Sequence, residues 1–323
     1  MIRFRVAMAA ASVLFLAACG GGQAGPSGAP AAGASSGPTS VKVSVIPIVD
    51  VAPIYLGVEQ GFFEEEGLKL ELAPAQGGAA IVPAVVSGQV EFGFSNLTSL
   101  VIARSKGLPL KVVAPGAGST GEQGKDFGGV VVKADSPLKS AADLVGKRVA
   151  VNTLGNINDT TVRASIRAAG GDPKNVNFVE LAFPDMLAAL EAGNVDAVQI
   201  VEPFLATALK NGDRVIASNY VDAAPGLTIA GYFTSEQTAT AKPDLVKRFT
   251  AAMQKSLKYA TDNPDAARKV LLTYTKIDSA LTGSLTLPTF PAEINTKSLE
   301  TLIQLALQDG LIQTAPNVNE LLP

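Results

Sequence analysis

The residues of this chain most able to do chemistry are polar and uncharged, and they gather where apolar strands end. The clearest run is "VNTLGNINDTT", Val151 to Thr161, in which Thr153, Gly155, Asn156, Asn158 and Asp159 follow a β-branched strand and lead into a helix near Asp159. Hydroxyls and amides offer hydrogen bonds in both senses, and glycine leaves backbone N–H groups open to a ligand. Such a set suits capture of a small polar molecule. Nucleophilic catalysis needs partners this chain lacks: it has no histidine, which removes Ser-His catalysis and His-ligated metal sites. Its one cysteine is Cys19, so the folded body has no disulfide, cysteine nucleophile or Cys-ligated metal. Carboxylates stand at Asp159, Asp185 and Glu202, but scattered acids on turns more often cap helices or meet solvent than form a catalytic pair.

Cofactor motifs fare no better. "GAGSTG", Gly116 to Gly121, matches G-x-G-x-x-G after a strand, yet "EQGKDFGG" follows instead of a helix with an apolar face. Without that helix nothing receives a pyrophosphate, and the run reads as the approach to a hinge. No G-x-x-x-x-G-K-[ST] run is present, so ATP hydrolysis belongs to another subunit. No catalytic residue, cofactor or metal is expected.

The elements that must position these residues alternate. "VKVSVIPI" and "GLKLELA" read as strands, "GAAIVPAVVSG" as a helix, and "VEFGF" leads through "SNLTS" into a helix from about Leu97 that stops at Gly107. With 323 residues, 47% of them hydrophobic, this pattern implies two α/β domains built on largely parallel sheets. "AVVSGQVEFGF" from Ala84 and "ALEAGNVDAVQ" from Ala189 share a helix end, a glycine, Val90 or Val195, and Glu91 or Asp196. Val43 and Val45 stand in the same relation to Val149 and Val151, which predicts two similar halves. In open α/β sheets ligands sit beyond the carboxyl ends of strands, near helix N-termini. The candidates are therefore Gln76 and Gly77 after the second strand and Ser95, Asn96 and Thr98 after the next. In the second half they are the opening run, then Phe183 and Asp185, then Glu202. Asn96 and Asp159 equally suit helix N-caps.

The N-terminus has its own logic. Arg3 and Arg5 precede an apolar run, Val6 to Phe15, and then "LAAC" ends at Cys19. Residues 1–18 read as a secretory signal, too short to span a bilayer, and the cleavage region resembles a bacterial lipobox, in which Cys19 is lipidated and becomes the first mature residue. Residues 19–40 hold no large apolar side chain and read as a tether reaching about 25 Å. Loss of Arg3 and Arg5 with the signal takes the formal net charge from −3 to −5, which argues against a nucleic-acid partner.

"APIYLGVEQGFFEEEGLKLEL", "VSGQVEFGFSN", "SPLKSAADLVGKRVAV" and "VEPF" resemble the family of solute-binding proteins for nitrate, taurine, aliphatic sulfonates and the thiamine pyrimidine. The resemblance covers most of the chain from Val41 onward. It implies the α/β type II periplasmic-binding-protein fold, two lobes each with a mostly parallel sheet, joined by two crossover segments. Lobe one would comprise 41–125 and 233–323, and lobe two 126–232, with "DLVKRFTAAMQKSLKYATDNP" and "SLETLIQLALQDG" returning as amphipathic helices over lobe one. It further implies a monomer outside the cytoplasm, anchored to the membrane through Cys19, that delivers solute to an ABC permease and its ATPase subunit. The family's first turn would bring Asp50, Val51 and Tyr55 to the cleft. Relatives often carry Trp where this chain has Val201, and Glu202 either meets ligand or braces the hinge. The rivals are an enzyme on the same fold, of the pyrimidine-synthase kind whose chemistry needs the absent histidine, and a solute sensor that feeds no transporter. Helix N-termini favour an anion such as sulfonate or nitrate, no named turn carries Arg or Lys to clamp one, and Asp159 and Glu202 suit donors from a nitrogenous solute. Both ligand classes stand open at this point.

Cys19→Ser is expected to abolish lipid attachment and shift the protein from the membrane to the soluble fraction, without altering the folded body. Mass spectrometry of the mature N-terminus checks it: a wild-type Cys19 without lipid contradicts the lipobox reading.

Overall fold

Runs of β-branched residues become two five-stranded sheets in the computed structural model, which describes residues 37–322. The signal segment, Cys19 and most of the expected tether lie outside the described residues. The first sheet holds β1 (Thr39–Val45), β2 (Leu68–Pro74), β3 (Phe92–Asn96) and β4 (Leu110–Pro115), and the second holds β5 (Gly128–Val132), β6 (Arg148–Val151), β7 (Asn177–Glu180), β8 (Ala197–Val201) and β9 (Arg214–Ala217). A last strand, β10 (Ala230–Ser235), returns to the first sheet, giving the orders β2-β1-β3-β10-β4 and β7-β6-β8-β5-β9. Each sheet is parallel except for one strand, β10 or β5, which runs antiparallel between its neighbours after crossing from the other half.

Helices cover the sheets. The first half carries α1 (Ala52–Glu59), α2 (Phe62–Glu65), α3 (Gly78–Val86) and α4 (Leu97–Ser105); the second carries α5 (Ile157–Ala168), α6 (Phe183–Glu191), α7 (Phe204–Lys210) and α8 (Asn219–Ala223). After β10 come α9 (Glu236–Ala241), α10 (Pro243–Asp262), α11 (Pro264–Val270), α12 (Thr296–Gln308) and α13 (Val318–Leu321). None of the described helices is long and apolar enough to cross a membrane. The two sheets with their helices make two lobes, as expected, with three local corrections. Thr39 and Ser40 pair with Leu68 and Lys69 in β1 and so leave the tether. The return to the first sheet starts at Ala230, three residues before 233, because Ala230 already pairs with Asn96. The helix after the opening run starts at Ile157, since the Asn156 side chain caps it.

The echo between halves is a register equivalence. Val43 lies opposite Phe92 in the β1–β3 pair and Val149 opposite Ala197 in β6–β8. Just before β3, the Glu91 carboxylate accepts the Lys42 N–H at 3.1 Å while the Glu91 N–H donates to the Lys42 carbonyl at 3.0 Å. Asp196 makes the same pair of bonds with Arg148, at 2.8 and 2.9 Å. An acid at this place satisfies an N–H at the exposed start of a parallel pair and sets its register, which is why the halves share an acid there and differ around it.

The crossovers are themselves paired. The Ala117 carbonyl accepts from Ile229 N–H at 2.8 Å, Ser119 N–H donates to Leu227 at 2.8 Å, and Gly118 exchanges two 2.9 Å bonds with Thr289. A Cβ on Gly118 would lie 2.6 Å from Thr289 Oγ1, so glycine permits this close approach. "GAGSTG" thus forms a hydrogen-bonded crossover, with Gly118 in isolated bridges to Thr228 and Thr289. Of the two C-terminal helices, α10 covers lobe one as expected, with Phe249 stacked on Phe92 at 3.9 Å. The other, α12, packs on α4 of lobe one but also on α5 of lobe two, and just beyond its end Asp309 bonds Arg167 of α5 at 2.7 Å.

Gly57 sets how closely α1 approaches α10: a Cβ there would sit 2.0 Å from Ser256 Oγ and 2.7 Å from the Phe63 ring. Gly57→Ala is expected to lower stability by about 1–3 kcal/mol through overpacking, read as a lower denaturation midpoint. An unchanged midpoint would show that the contact relaxes freely.

Candidate functional site

At the seam between the lobes, residues at and beyond the carboxyl ends of β1, β3, β6, β7 and β8 converge on a cavity of about 30 Å³. Ile46, Ile48, Phe94, Ile157, Phe183 and Val201 make its apolar wall, and Asp50, Asn96, Asn152, Asn158 and Tyr220 its polar one. So small a space holds about one or two waters, so an organic solute enters only when the lobes part. Larger grooves, about 760 and 770 Å³, lie beside β4 and α10 and behind the hinge, and neither is formed by the strand-end turns.

Lobe two's part is a closed network. Asn156 caps α5, its Oδ1 accepting from the Asn158 N–H at 2.9 Å, while its Nδ2 donates to Asn152 Oδ1 at 2.8 Å and Thr153 Oγ1 at 2.7 Å. Asn158 Nδ2 donates to the same Asn152 oxygen at 2.8 Å, and the Tyr220 hydroxyl donates to Asn158 Oδ1 at 2.7 Å. The Asp159 carboxylate accepts the N–H groups of Gly155 and Asn156, each at 2.9 Å, with Gly155 at φ +62°, a conformation that favours glycine. The opening run therefore divides its labour. Asn158 faces the cavity, whereas Thr153, Gly155, Asn156 and Asp159 hold the turn; the expectation that the Asn156 amide faces the cleft is corrected, because its donors are spent inside the network. Asp159 nonetheless has its pKa raised, burial outweighing the bonds it accepts.

In lobe one, Asp50 sits in the short helical turn Val49–Val51 and is buried, with no partner for Oδ2. Burial, and secondarily the nearby Asp126 charge, pushes its carboxyl up to about 7. Asn96 caps α4, accepting from Ser99 N–H at 2.8 Å, and faces the cavity. The other expected contacts lie outside the lining. Val51 and Thr98 are core. Ser95 is buried under Gly78, its Oγ donating to its neighbour's carbonyl at 3.1 Å. Tyr55 stacks on Tyr274 at 3.9 Å, and the Tyr274 hydroxyl donates to the Ile48 carbonyl at 3.1 Å, so this pair braces the Asp50 turn from behind. Gln76 is exposed, while Gly77 lets the lobes touch: a Cβ there would lie 3.0 Å from Thr153 Cγ2 and 3.2 Å from Asn152 Nδ2.

The remaining candidates split as well. Phe183 lines the cavity with Phe204 stacked behind it at 5.9 Å, and Asp185, two residues on, is exposed. Phe183 and Phe94 provide the aromatic wall that Val201 does not. Glu202 braces: Oε2 accepts the Ala206 N–H at 2.9 Å and Oε1 the Thr286 N–H at 3.1 Å, tying α7 to the C-terminal segment. Burial pushes its carboxyl up to about 7. Asn152 and Tyr220 escape the sequence reading. Asn152 carries a signal, standing first after its strand; Tyr220, on α8, carries none, because its place depends on how α8 packs on α5.

With this geometry in place, comparison with known proteins is informative. Residues 48–267 match the family described as NMT1/THI5 like. The formylaminopyrimidine-binding protein of Halalkalibacterium halodurans is 26% identical over 223 residues, which cover 68% of this chain and 65% of that one. The match thus spans just under two thirds of that relative. The alkanesulfonate-binding protein SsuA from Xanthomonas axonopodis pv. citri superposes with a TM-score of 0.73 at 18% identity, over 89% of this chain and 99% of that one. The desulfurization enzyme DSZB does so with a TM-score of 0.65 at 17% identity, over 87% and 95%. The structural likenesses establish a shared fold that carries both binding proteins and an enzyme.

The raised carboxyls of Asp50 and Glu202 give stability a definite pH dependence. Between the ordinary carboxylate range and about 7 the folded chain keeps protons that the unfolded chain has released, so their contribution is most favourable at the acid end and is lost as pH rises. The melting temperature without solute is expected to be higher at about pH 5.5 than at about pH 8, and Asp50→Asn is expected to raise the value at pH 8 and flatten the profile. Calorimetric melts across that window check it, and a melting temperature that climbs with pH contradicts it.

Proposed function

The chain belongs to the NMT1/THI5-like family, and on that premise we propose that it is an extracytoplasmic solute-binding lipoprotein that captures a small polar solute between its lobes and delivers it to an ABC importer. The observation that carries this reading is the convergence of strand-end residues from both lobes, the first turn of each among them, on one cavity. A cavity so placed forms only when the lobes approach, which couples solute capture to closure about the paired crossovers. In this reading lobe one is the 41–125 and 233–323 set with Thr39, Ser40 and Ala230 to Tyr232 added, lobe two is the rest of 126–232, and the anchor is Cys19. Asp50, Asn96, Asn158 and Phe183, with Asn152 and Tyr220, contact the solute. The permease and its ATPase are separate subunits that recognise the closed form of a monomer.

A binding role accounts for the residues better than a catalytic one. Histidine is absent, both oxygens of Asp159 and of Glu202 accept backbone N–H groups, and Asp50 has no second acid or base beside it in the cavity lining. The name of the Halalkalibacterium halodurans relative points the same way. A thermal-shift panel of sulfonates, nitrate, taurine, aromatic carboxylates and pyrimidines tests the reading, since a solute at a hundredfold its dissociation constant stabilises by about 2.7 kcal/mol. At least one class is expected to stabilise the protein, Asn158→Ala to weaken that solute about tenfold, and deletion of the gene to abolish its uptake. Solute binding that survives Asn158→Ala unchanged would move the site elsewhere, and uptake that survives deletion would favour a sensor.

A further inference from the structure

We infer that the solute is an organic cation or N–H base with a compact apolar body, selected through Asp50, and that the closed cleft rejects anions of the same shape. The inference rests on the cavity being the solute site. Asp50 is the one side chain of the cavity lining able to take a full negative charge, and no Arg or Lys shares that lining. Its Oδ2 is buried without a partner. A buried carboxylate oxygen left unpaired is costly, and a donor brought by the solute removes the cost. Once Asp50 is ionised, an oxyanion would meet a like charge there instead, with no fixed cation in the lining to offset it.

The rest of the lining fits the same solute. Asn158 Oδ1 and Asn152 Oδ1 already accept bonds from Tyr220, Asn156 and Asn158, so Asp50 is the acceptor left for a strong donor. Asn96 and Asn152 place amides on the wall to meet a neutral acceptor atom of the solute. Ile48, Phe94, Ile157 and Phe183 surround these few polar groups and suit an aliphatic or aromatic body. The titratable groups that bear on Asp50 are Asp126 at the crossover and the hydroxyls of Tyr220, Tyr232 and Tyr274, with Tyr55 packed against Tyr274. None is cationic, so the compensating positive charge comes from the solute. Binding of a cation must then draw the proton from Asp50, and affinity falls as the medium is acidified.

Matched probes test this: acetamidine and benzamidine against acetate, methanesulfonate, benzoate and benzenesulfonate, each at about 10 mM in thermal melts, with calorimetric titration of whatever binds. At least one amidine is expected to stabilise the wild-type protein while its anionic counterparts do not. Its affinity is expected to drop more than tenfold in Asp50→Asn, and more than tenfold in the wild type between about pH 8 and pH 5.5. The pH series needs no variant, so a poorly folded Asp50→Asn does not block the test. An anion that binds better than its matched amidine overturns the charge rule and leaves solute capture standing. Amidine binding indifferent to Asp50 and to pH overturns the role of Asp50. No response to any probe overturns the inference, and if the broader solute panel also fails, the solute-binding reading falls with it.

Discussion

Each sheet of this protein is completed by a strand that arrives from the other half, and that constraint organises everything else. Without β10, β3 and β4 would have no partner between them; without β5, the same holds for β8 and β9. The inserted strand runs antiparallel to its neighbours, so each crossover ends where the carboxyl ends of the parallel strands lie. Ile229 accepts the Leu97 N–H at 2.9 Å, and Phe127 accepts the Glu202 N–H at 2.8 Å. Equivalent turns of the two lobes are thereby held face to face, with the hinge directly behind them.

Within that frame the two halves have specialised by side chain. The acid clamp that sets register is kept in both, at Glu91 and Asp196, because the backbone there has the same unmet N–H. The turns beyond it differ. After β3, Asn96 caps its helix and still faces the cavity; after β8, Glu202 spends both oxygens on backbone donors and holds the hinge together. In the first turn of each lobe the contrast is sharper. Lobe two saturates its Asn-rich run with internal hydrogen bonds, whereas lobe one leaves Asp50 with a bare oxygen in the wall.

That bare oxygen has a cost in the unliganded state. A carboxyl pushed up to about 7 by burial destabilises the fold in neutral and alkaline medium relative to acid. The stacked Tyr55 and Tyr274 and the bond from the Tyr274 hydroxyl to Ile48 keep the Asp50 turn in place despite this. A binding site often keeps such an unmet group where an optimally stable core would not, and the surrounding contacts supply the stability it forgoes.

Much of the molecule was legible before any coordinates. Alternation of strands and helices, the glycine stops, the repeated valines and acids and the hinge run are local patterns, and local patterns follow from backbone geometry and the period of burial. The candidate turns were also legible, because strand ends in α/β sheets are where polar residues can face a ligand. Which side chain of a turn faces the cleft was not. Asn156 and Asn158 are two residues apart with the same chemistry, and both donate to Asn152, yet one is spent in its own cap and the other lines the cavity beside Tyr220. Tyr55 looks like a cleft residue in sequence and Glu202 like a cleft residue or a brace; both become braces because Tyr274 and Thr286, far along the chain, fold back onto them. Sequence alone determined the elements and their order, since those depend on neighbours within a few residues. The roles of the polar side chains depend on partners dozens to hundreds of residues away, and only the tertiary structure brings those together.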